Sequence, residues 1–317
     1  MTKVSVIVPV YGTEKYIERC ARSLFDQTLD DIEYLFIDDC TPDRSIELLC
    51  QVLKEYPQRK KQVIIHRMEH NSGQAKVREW GMRNASGEYV IHCDSDDWVN
   101  TDMYRAMYEK AKEDDSDVVV CDYAITDGEH IIKEVKGCGS LVKNLFQVRL
   151  LFQRDPWSLW NKLFKRTVCY KDLLFPKGNM GEDMALCIQS VMLADKISYI
   201  PLAYYNYFDN RGSTTRPIKR SEDYLVKTFN SRLDNTLILV QKLKNIKDKD
   251  VQEGLLSIKY DVVSTLFPLS HIKEYRDICF NTFPRIFRKV MLSKEMAFAS
   301  KFRFMLAWAY MYPRITK

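Results

Sequence analysis

Asp94, Asp96 and Asp97 fall within four positions, immediately after the apolar, β-prone run Tyr89-Val90-Ile91. Packing gives no reason to crowd three carboxylates, because like charges this close repel unless something positive sits among them. A hard divalent cation, Mg2+ or Mn2+, would supply that charge. Both favour oxygen ligands and commonly take one or two carboxylates plus phosphate oxygens. The pattern taken alone also suits a solvated acidic turn after a strand. Two further polar sites follow apolar runs in the same way: Tyr11 after residues 4–10, and Asp38-Asp39 after residues 34–37. Glu182-Asp183 precede the apolar stretch 184–193, where acids favour a helix N-terminus.

These side chains need a scaffold that brings them together. Residues 1–123 alternate strand and helix patterns. Apolar runs at 4–10, 34–37, 63–66, 89–93 and 118–121 predict strands, and helical stripes lie between them. Tyr16, Ile17, Cys20, Leu24 and Phe25 form one stripe; Ile46, Leu49, Leu53 and Tyr56 form another. Thr41 and Pro42 read as the N-cap and first residue of the second helix. Gly73 opens a third helix, which residues 84–87 close. Strands buried on both faces and joined by helices predict an α/β fold with a mostly parallel central sheet. Ligands of such sheets bind at the carboxyl ends of the strands, which is where Tyr11, Asp38, Asp39 and Asp94 to Asp97 fall. Residues 124–216 lose the alternation and are rich in aromatics, and from 217 the pattern is helical and basic. The expected division is therefore 1–123 and 124–216 as two halves of one domain, with 217–317 as a helical extension.

The chain has 317 residues, 46% hydrophobic and 29% charged, as expected of a folded soluble protein. A net charge of +5 argues against a nucleic-acid partner. No signal peptide or run of ~20 apolar residues is visible. Nine cysteines, without a Cys-x-x-Cys pair, suit reduced core thiols in a cytoplasmic protein. Neither G-x-G-x-x-G after the first strand nor G-x-x-x-x-G-K-[ST] occurs, so a metal, basic side chains or both must hold any phosphate.

Taken in order, residues 4–11 (VSVIVPVY), Ile37-Asp38-Asp39, Asn71-Ser72-Gly73 through Arg78, Gly87-Glu88-Tyr89, Asp94-Ser95-Asp96-Asp97-Trp98 and Gly181-Glu182-Asp183 resemble a bacterial family 2 glycosyltransferase of the GT-A fold. The resemblance covers roughly residues 3–215. It implies a UDP-sugar donor, a divalent metal and inversion at the anomeric carbon. It also implies roles for single residues. Pro9 and Tyr11 would cradle the base, Asp39 with its neighbour Asp38 would meet the uracil N–H, Glu14 the ribose and Arg78 the phosphates. Asp96 would ligate the metal, with Asp94 beside it nearer the sugar or ribose. Asp183, with Glu182 next to it, matches the base that takes the proton of the acceptor hydroxyl. Lys162, in Trp160-Asn161-Lys162-Leu163-Phe164, would lie near acceptor or phosphate, and Arg211 or Arg216 in a loop over the diphosphate. Glu79-Trp80 departs from the usual small polar residues and puts donor specificity in question.

The implied activity is transfer of a sugar from a UDP-sugar to a glycan or lipid-linked hydroxyl, as in surface polysaccharide synthesis. A sugar-nucleotide-forming nucleotidyltransferase and a non-catalytic nucleotide-binding module are the alternatives. Residues 271–317 carry ten Lys or Arg against three Asp or Glu. Phe298, Phe302, Met305, Leu306, Ala309 and Tyr310 repeat at helical spacing, so this segment either packs on the core or lies on an anionic membrane surface. The second case would make the protein peripheral on the inner face of the cytoplasmic membrane. The sequence leaves a homodimer open.

Overall fold

The computed structural model describes residues 1–139, 143–210, 221–269 and 271–311. Nine strands form one sheet: β1 (Val4–Val10), β2 (Ile32–Asp38), β3 (Val63–Arg67), β4 (Tyr89–His92), β5 (Trp98–Val99), β6 (Val118–Thr126), β7 (Ile131–Val135), β8 (Lys162–Lys165) and β9 (Ile197–Phe208). Their order is β3-β2-β1-β4-β8-β6-β9-β5, with β7 paired to β6. The first four strands are parallel, as the double-sided apolar runs require. Val10 pairs with Asp38 and Ile7 with His92, so Tyr11, Asp39 and Asp94 emerge from the same end. The chain starts at β1 and winds outward through β2 and β3 before returning to β4. The gap between β1 and β4 is thus the point where strand order reverses, where α/β sheets bind ligands.

The second half of the sheet is mixed. β8 inserts antiparallel between β4 and β6, β9 runs parallel to β6, and β5 pairs antiparallel with β9. The boundary expected at residue 123 therefore falls inside β6.

Helices α1 (Ile17–Phe25), α2 (Ser45–Glu55), α3 (Gln74–Asn84), α4 (Met103–Glu113), α5 (Lys143–Leu151), α6 (Arg166–Cys169) and α7 (Glu182–Leu193) flank the sheet. Strand side chains alternate between its faces. Val4, Val6, Val8, Val10 and Phe36 meet α1, α2 and α4; Ile7, Leu35, Ile37 and Val90 meet α3, α5 and α7. The expected cap at Thr41 is not formed. α2 begins at Ser45, because Asp43 accepts bonds from the Thr41 hydroxyl and from the Ser45 hydroxyl and N–H. Thr41 instead accepts the Gly12 N–H (2.8 Å), tying together the turns that follow β1 and β2.

The C-terminal extension contains α8 (Glu222–Leu243), α9 (Lys249–Ser264), α10 (Lys273–Thr282), α11 (Ile286–Leu292) and α12 (Phe298–Met311). Leu239, Leu243, Leu255 and Ile258 join the same core as β4 and α7, so the extension is packed onto the α/β domain. A third core gathers Phe229, Val262, Phe283, Val290 and Phe304 among these helices. Phe304 is 1% exposed and Trp308 stacks on Phe287, so one face of α12 is core. Among the described residues no helix is long and apolar enough to cross a membrane.

Candidate active site

The strand ends bring Asp39, Asp94 and Asp96 to one edge of the sheet, and the start of α7 brings Glu182 and Asp183 towards them. The turn after β2 brings Asp39, which is 5% exposed, against the loop before α3. Its two oxygens accept the N–H groups of Ser72 (2.7 Å) and Gly73 (2.8 Å), and an ionised carboxylate retains further lone pairs for a ligand donor. Gly73 has φ +80°, and a Cβ there would stand 2.0 Å from the Asn179 side chain, so only glycine fits. Tyr11 is half exposed at the end of β1, with Pro9 partly buried beneath it, which leaves an aromatic face open beside Asp39. Glu14 is exposed and accepts the Arg44 N–H (3.2 Å).

Asp38 lies elsewhere than its neighbour. It is 2% exposed, accepts the Thr41 N–H (2.7 Å) and pairs with Arg67 (3.3 Å). The nucleotide contact expected for Asp38 is therefore corrected: its carboxylate is occupied in holding the turn.

After β4 the three aspartates separate by role. Asp94 accepts a bond from Arg78 (3.0 Å), and Gln74 approaches the same oxygen at 3.4 Å. Asp96 is partly exposed; burial, and then the charge of Asp94, push its carboxyl up to about 6. Asp97 is 1% exposed and points the other way. It accepts the Tyr205 hydroxyl (2.6 Å) and the Phe208 N–H (2.7 Å), and burial holds its pKa well above the ordinary range. Tyr205 also accepts the Asp94 N–H (3.1 Å), and its ring stacks on Trp160 at 4.2 Å. Arg19 completes this side: its guanidinium lies between the rings of Trp98 (3.6 Å) and Phe208 (4.9 Å) and donates to the Asp96 carbonyl (3.2 Å).

Glu182 and Asp183 form the first turn of α7, where Gly181 adopts the left-handed conformation. Glu182 is 5% exposed, and burial followed by the charge of Asp183 lifts its carboxyl to about 8. Asp183 is partly exposed and is also raised, by burial, with Arg78 opposing. Arg78 is 3% exposed. Burial alone would lower its pKa, but Asp94, Glu182 and Asp183 outweigh that and raise it. Its Nε and Nη1 have no hydrogen-bond partner among the described residues. A fully charged buried guanidinium with two uncommitted donor nitrogens, facing carboxylates, is suited to an anionic ligand.

Among the described residues no three His, Cys, Asp or Glu side chains converge as a complete metal-ligand set. The oxygen donors of Asp96 and Asp94 nevertheless fit a hard cation that takes its remaining ligands from water and a diphosphate. Glu79 pairs with Lys76 and Arg83, and Trp80 stacks on His66 at 3.8 Å, so this departure is taken up by neighbours on and beside α3.

The role expected for Lys162 is also corrected. Its side chain is wholly buried, and Nζ donates to Pro156 O (2.8 Å), Ser158 O (2.8 Å) and Asn161 Oδ1 (2.9 Å). Three oxygens saturate the ammonium, and no phosphate can reach it. Arg211 and Arg216 lie outside the described residues. Sequence reasoning missed Asn179, Tyr205 and Arg19. Each makes its site contact with a residue far along the chain, and no local pattern marks such a contact.

Residues 5–156 match the sequence model of Glycosyl transferase family 2. Glycosyltransferase GlyA of Streptococcus pneumoniae is 32% identical over 225 residues, 68% of this chain but 32% of GlyA, so the chain spans about a third of that relative. TarS of Staphylococcus aureus, a poly(ribitol-phosphate) beta-N-acetylglucosaminyltransferase, is 28% identical over 217 residues, 67% of this chain and 36% of TarS. The crystal structure of TarS 1–349 with UDP-GlcNAc superposes with a TM-score of 0.58 at 22% identity, covering 83% of this chain and 81% of that one. The mannosyltransferase PcManGT of Pyrobaculum calidifontis, in complex with GDP-Man and Mn2+, gives a TM-score of 0.55 at 14% identity, covering 99% of this chain and 82% of that one. The sheet, the acidic strand ends and these likenesses together identify the chain as a glycosyltransferase of family 2 with the GT-A fold.

Proposed function

We propose that this glycosyltransferase moves a sugar from a UDP-sugar to a hydroxyl of a glycan or lipid-linked acceptor, with inversion, in the synthesis of a surface polysaccharide. The observation that carries the proposal is the convergence of Asp39, Arg78, Asp94, Asp96 and Asp183 at one end of the parallel strands. Asp39 and Tyr11 would take the base, and Arg78 an oxygen of the diphosphate. Asp96, with Asp94, would hold Mn2+ or Mg2+, which supplies positive charge for the departing diphosphate. That TarS was solved with UDP-GlcNAc and PcManGT with GDP-Man and Mn2+ supports a sugar-nucleotide donor and a metal. A nucleotidyltransferase is disfavoured because residues 10–14 (VYGTE) form no Gly-rich basic loop. A binding module without activity would need no raised pair of carboxyls at the start of α7.

In the reaction, the acceptor oxygen attacks the anomeric carbon from the face opposite the diphosphate. The bond from that carbon to the β-phosphate oxygen breaks, UDP leaves, and the hydroxyl proton passes to Asp183. The two neighbouring carboxyls divide the work: Glu182, buried and lifted to about 8, keeps its own proton at neutral pH, and Asp183, partly exposed, is the base. Raising the pKa of Asp183 strengthens it as a proton acceptor.

The exposed face of α12 fits the proposal of a lipid-linked acceptor. Phe298 is 82% exposed, Phe302 47%, Leu306 55% and Leu292, at the end of α11, 69%. Arg285, Arg288, Lys289, Lys294 and Arg303 are exposed on the same two helices and the turns beside them. Apolar side chains rimmed by cations match an anionic bilayer surface. A second copy would bring like charges together.

Asp183→Asn should lower turnover by ~10²–10⁴-fold while donor binding persists. Glu182→Gln should keep turnover, and wild-type activity should fall as pH drops through the raised pKa of Asp183. Glu182→Gln should also be increasingly stabilising relative to wild type as pH rises from about 4.5 to about 8: over that window the folded wild type keeps a proton that the unfolded chain releases, so wild-type stability falls with pH and levels off once Glu182 itself ionises. Rates and thermal midpoints from pH 5 to 9 read both, and wild-type turnover in Asp183→Asn would remove it as base.

Asp96→Ala should abolish the increase in UDP affinity that Mn2+ produces in the wild type. Calorimetric titration with Mn2+ and with EDTA measures it; equal wild-type affinity in both would exclude the metal role.

Because Phe304 and Trp308 are core, the membrane test uses substitutions rather than truncation. The double variant Phe298→Ser, Phe302→Ser should lose co-sedimentation with phosphatidylglycerol vesicles and retain UDP affinity. Wild-type binding should fall steeply with salt, as the Debye length shrinks from ~10 Å at 0.1 M to ~3 Å at 1 M. Failure of the wild type to pellet at low salt would refute the docking.

A further inference from the structure

The C-terminal extension reaches the candidate base. Asn235, midway along α8, is wholly buried, and its Nδ2 donates to Gly178 O (3.1 Å) and Met180 O (3.0 Å). These carbonyls flank Asn179 and lead directly into Gly181, the cap of α7 that carries Glu182 and Asp183. One amide group holding two carbonyls two residues apart fixes the conformation of the short segment between them. The segment also lies tight on α8: a Cβ on Gly178 would stand 2.5 Å from the Ser231 side chain and 2.7 Å from its Cα. On the other side Asn179 Oδ1 accepts the Ala75 N–H (3.1 Å) at the start of α3, beside the Gly73 that Asp39 holds. The segment 178–181 is thus bracketed between the nucleotide side of the site and the extension.

Stability alone gives a poor reason for this residue. The same amide buries Oδ1 without a hydrogen-bond partner among the described residues. An unsatisfied buried acceptor is costly, and an apolar side chain of similar shape would avoid that cost.

We propose that Asn235 is a positioning residue that sets Asp183 against the acceptor through the carbonyls of Gly178 and Met180, making α8 part of the reaction machinery. The proposal rests on Asp183 being the base. Displacing a reacting group by about 1 Å can cost ~10²-fold in rate. Asn235→Ala should therefore lower kcat by roughly 10–100-fold and leave the KM and binding affinity for the UDP-sugar unchanged. Asn235→Asp, which sets a carboxylate against two carbonyls, should be worse. The acid limb of the pH–rate profile should move in Asn235→Ala, because the surroundings of Asp183 change. Gly178→Ala, pushing the segment off α8 from its own side, should give the same kcat-selective loss and serves if Asn235→Ala does not fold. Thr236→Val, a buried change on the same helix that does not touch the segment, is the control and should leave kcat and the profile alone.

A folded Asn235→Ala or Gly178→Ala enzyme with wild-type kcat and an unmoved profile overturns the proposal. So does equal loss of kcat and of UDP-binding sites in both Asn235→Ala and Gly178→Ala, which would make these bonds structural rather than positioning. Asp183→Asn measured alongside separates the two levels. If Asp183→Asn is inactive while Asn235→Ala works normally, the base stands and the positioning role falls. If Asp183→Asn turns over like wild type, the base falls and the positioning role with it.

Discussion

A single buried guanidinium holds this site together. Asp94 and Asp183, the latter beside the protonated Glu182, come from two distant parts of the chain, and in a desolvated cleft their charges would drive them apart. Arg78 stands among them at 3% exposure, bonded to Asp94 and close enough to the other two to feel both. Its position depends on α3, whose start is held by Asp39 on one side and Asn179 on the other. Asp39, Asp94 and Asp183 are therefore all referred to the same short helix.

The aspartate cluster is resolved by a second set of contacts. Of the three carboxylates after β4, one faces Arg78, one is partly exposed, and one is turned inward to Tyr205 and the Phe208 N–H. The inward one joins the parallel half of the sheet to β9, and Arg19 clamps the same junction between two rings. Mutual repulsion that would otherwise loosen the turn is partly converted into hydrogen bonds, which leaves the exposed carboxylate oriented for a ligand.

Much of the first half was legible in sequence because its strands are buried on both faces and pair with neighbours of the same pattern. Residues 4–10 and 89–93 read as strands for that reason, residues 63–66 form the partly exposed edge strand, and the acidic residues after β1's neighbours β2 and β4 follow from topology. The second half was not legible. β8 inserts between β4 and β6 through non-local pairing that no window of residues encodes. Lysine composition points to the surface, yet the backbone oxygens of the turn before Lys162 captured it. Thr41 had the right type for a helix cap, but Asp43 outcompeted it for the local donors. Asn235 lay far from every motif, in a segment whose composition spoke only of helix and positive charge.

The stacking of Trp160 on Tyr205 has an optical consequence. The indole lies 4.2 Å from a phenol ring whose hydroxyl bonds both the Asp94 N–H and the Asp97 carboxylate, with Tyr207 5.9 Å away on a nearly parallel ring. A rearrangement of the acidic turn that moves the Tyr205 hydroxyl alters the surroundings of Trp160. The protein thus carries an intrinsic fluorophore one ring away from the acidic turn.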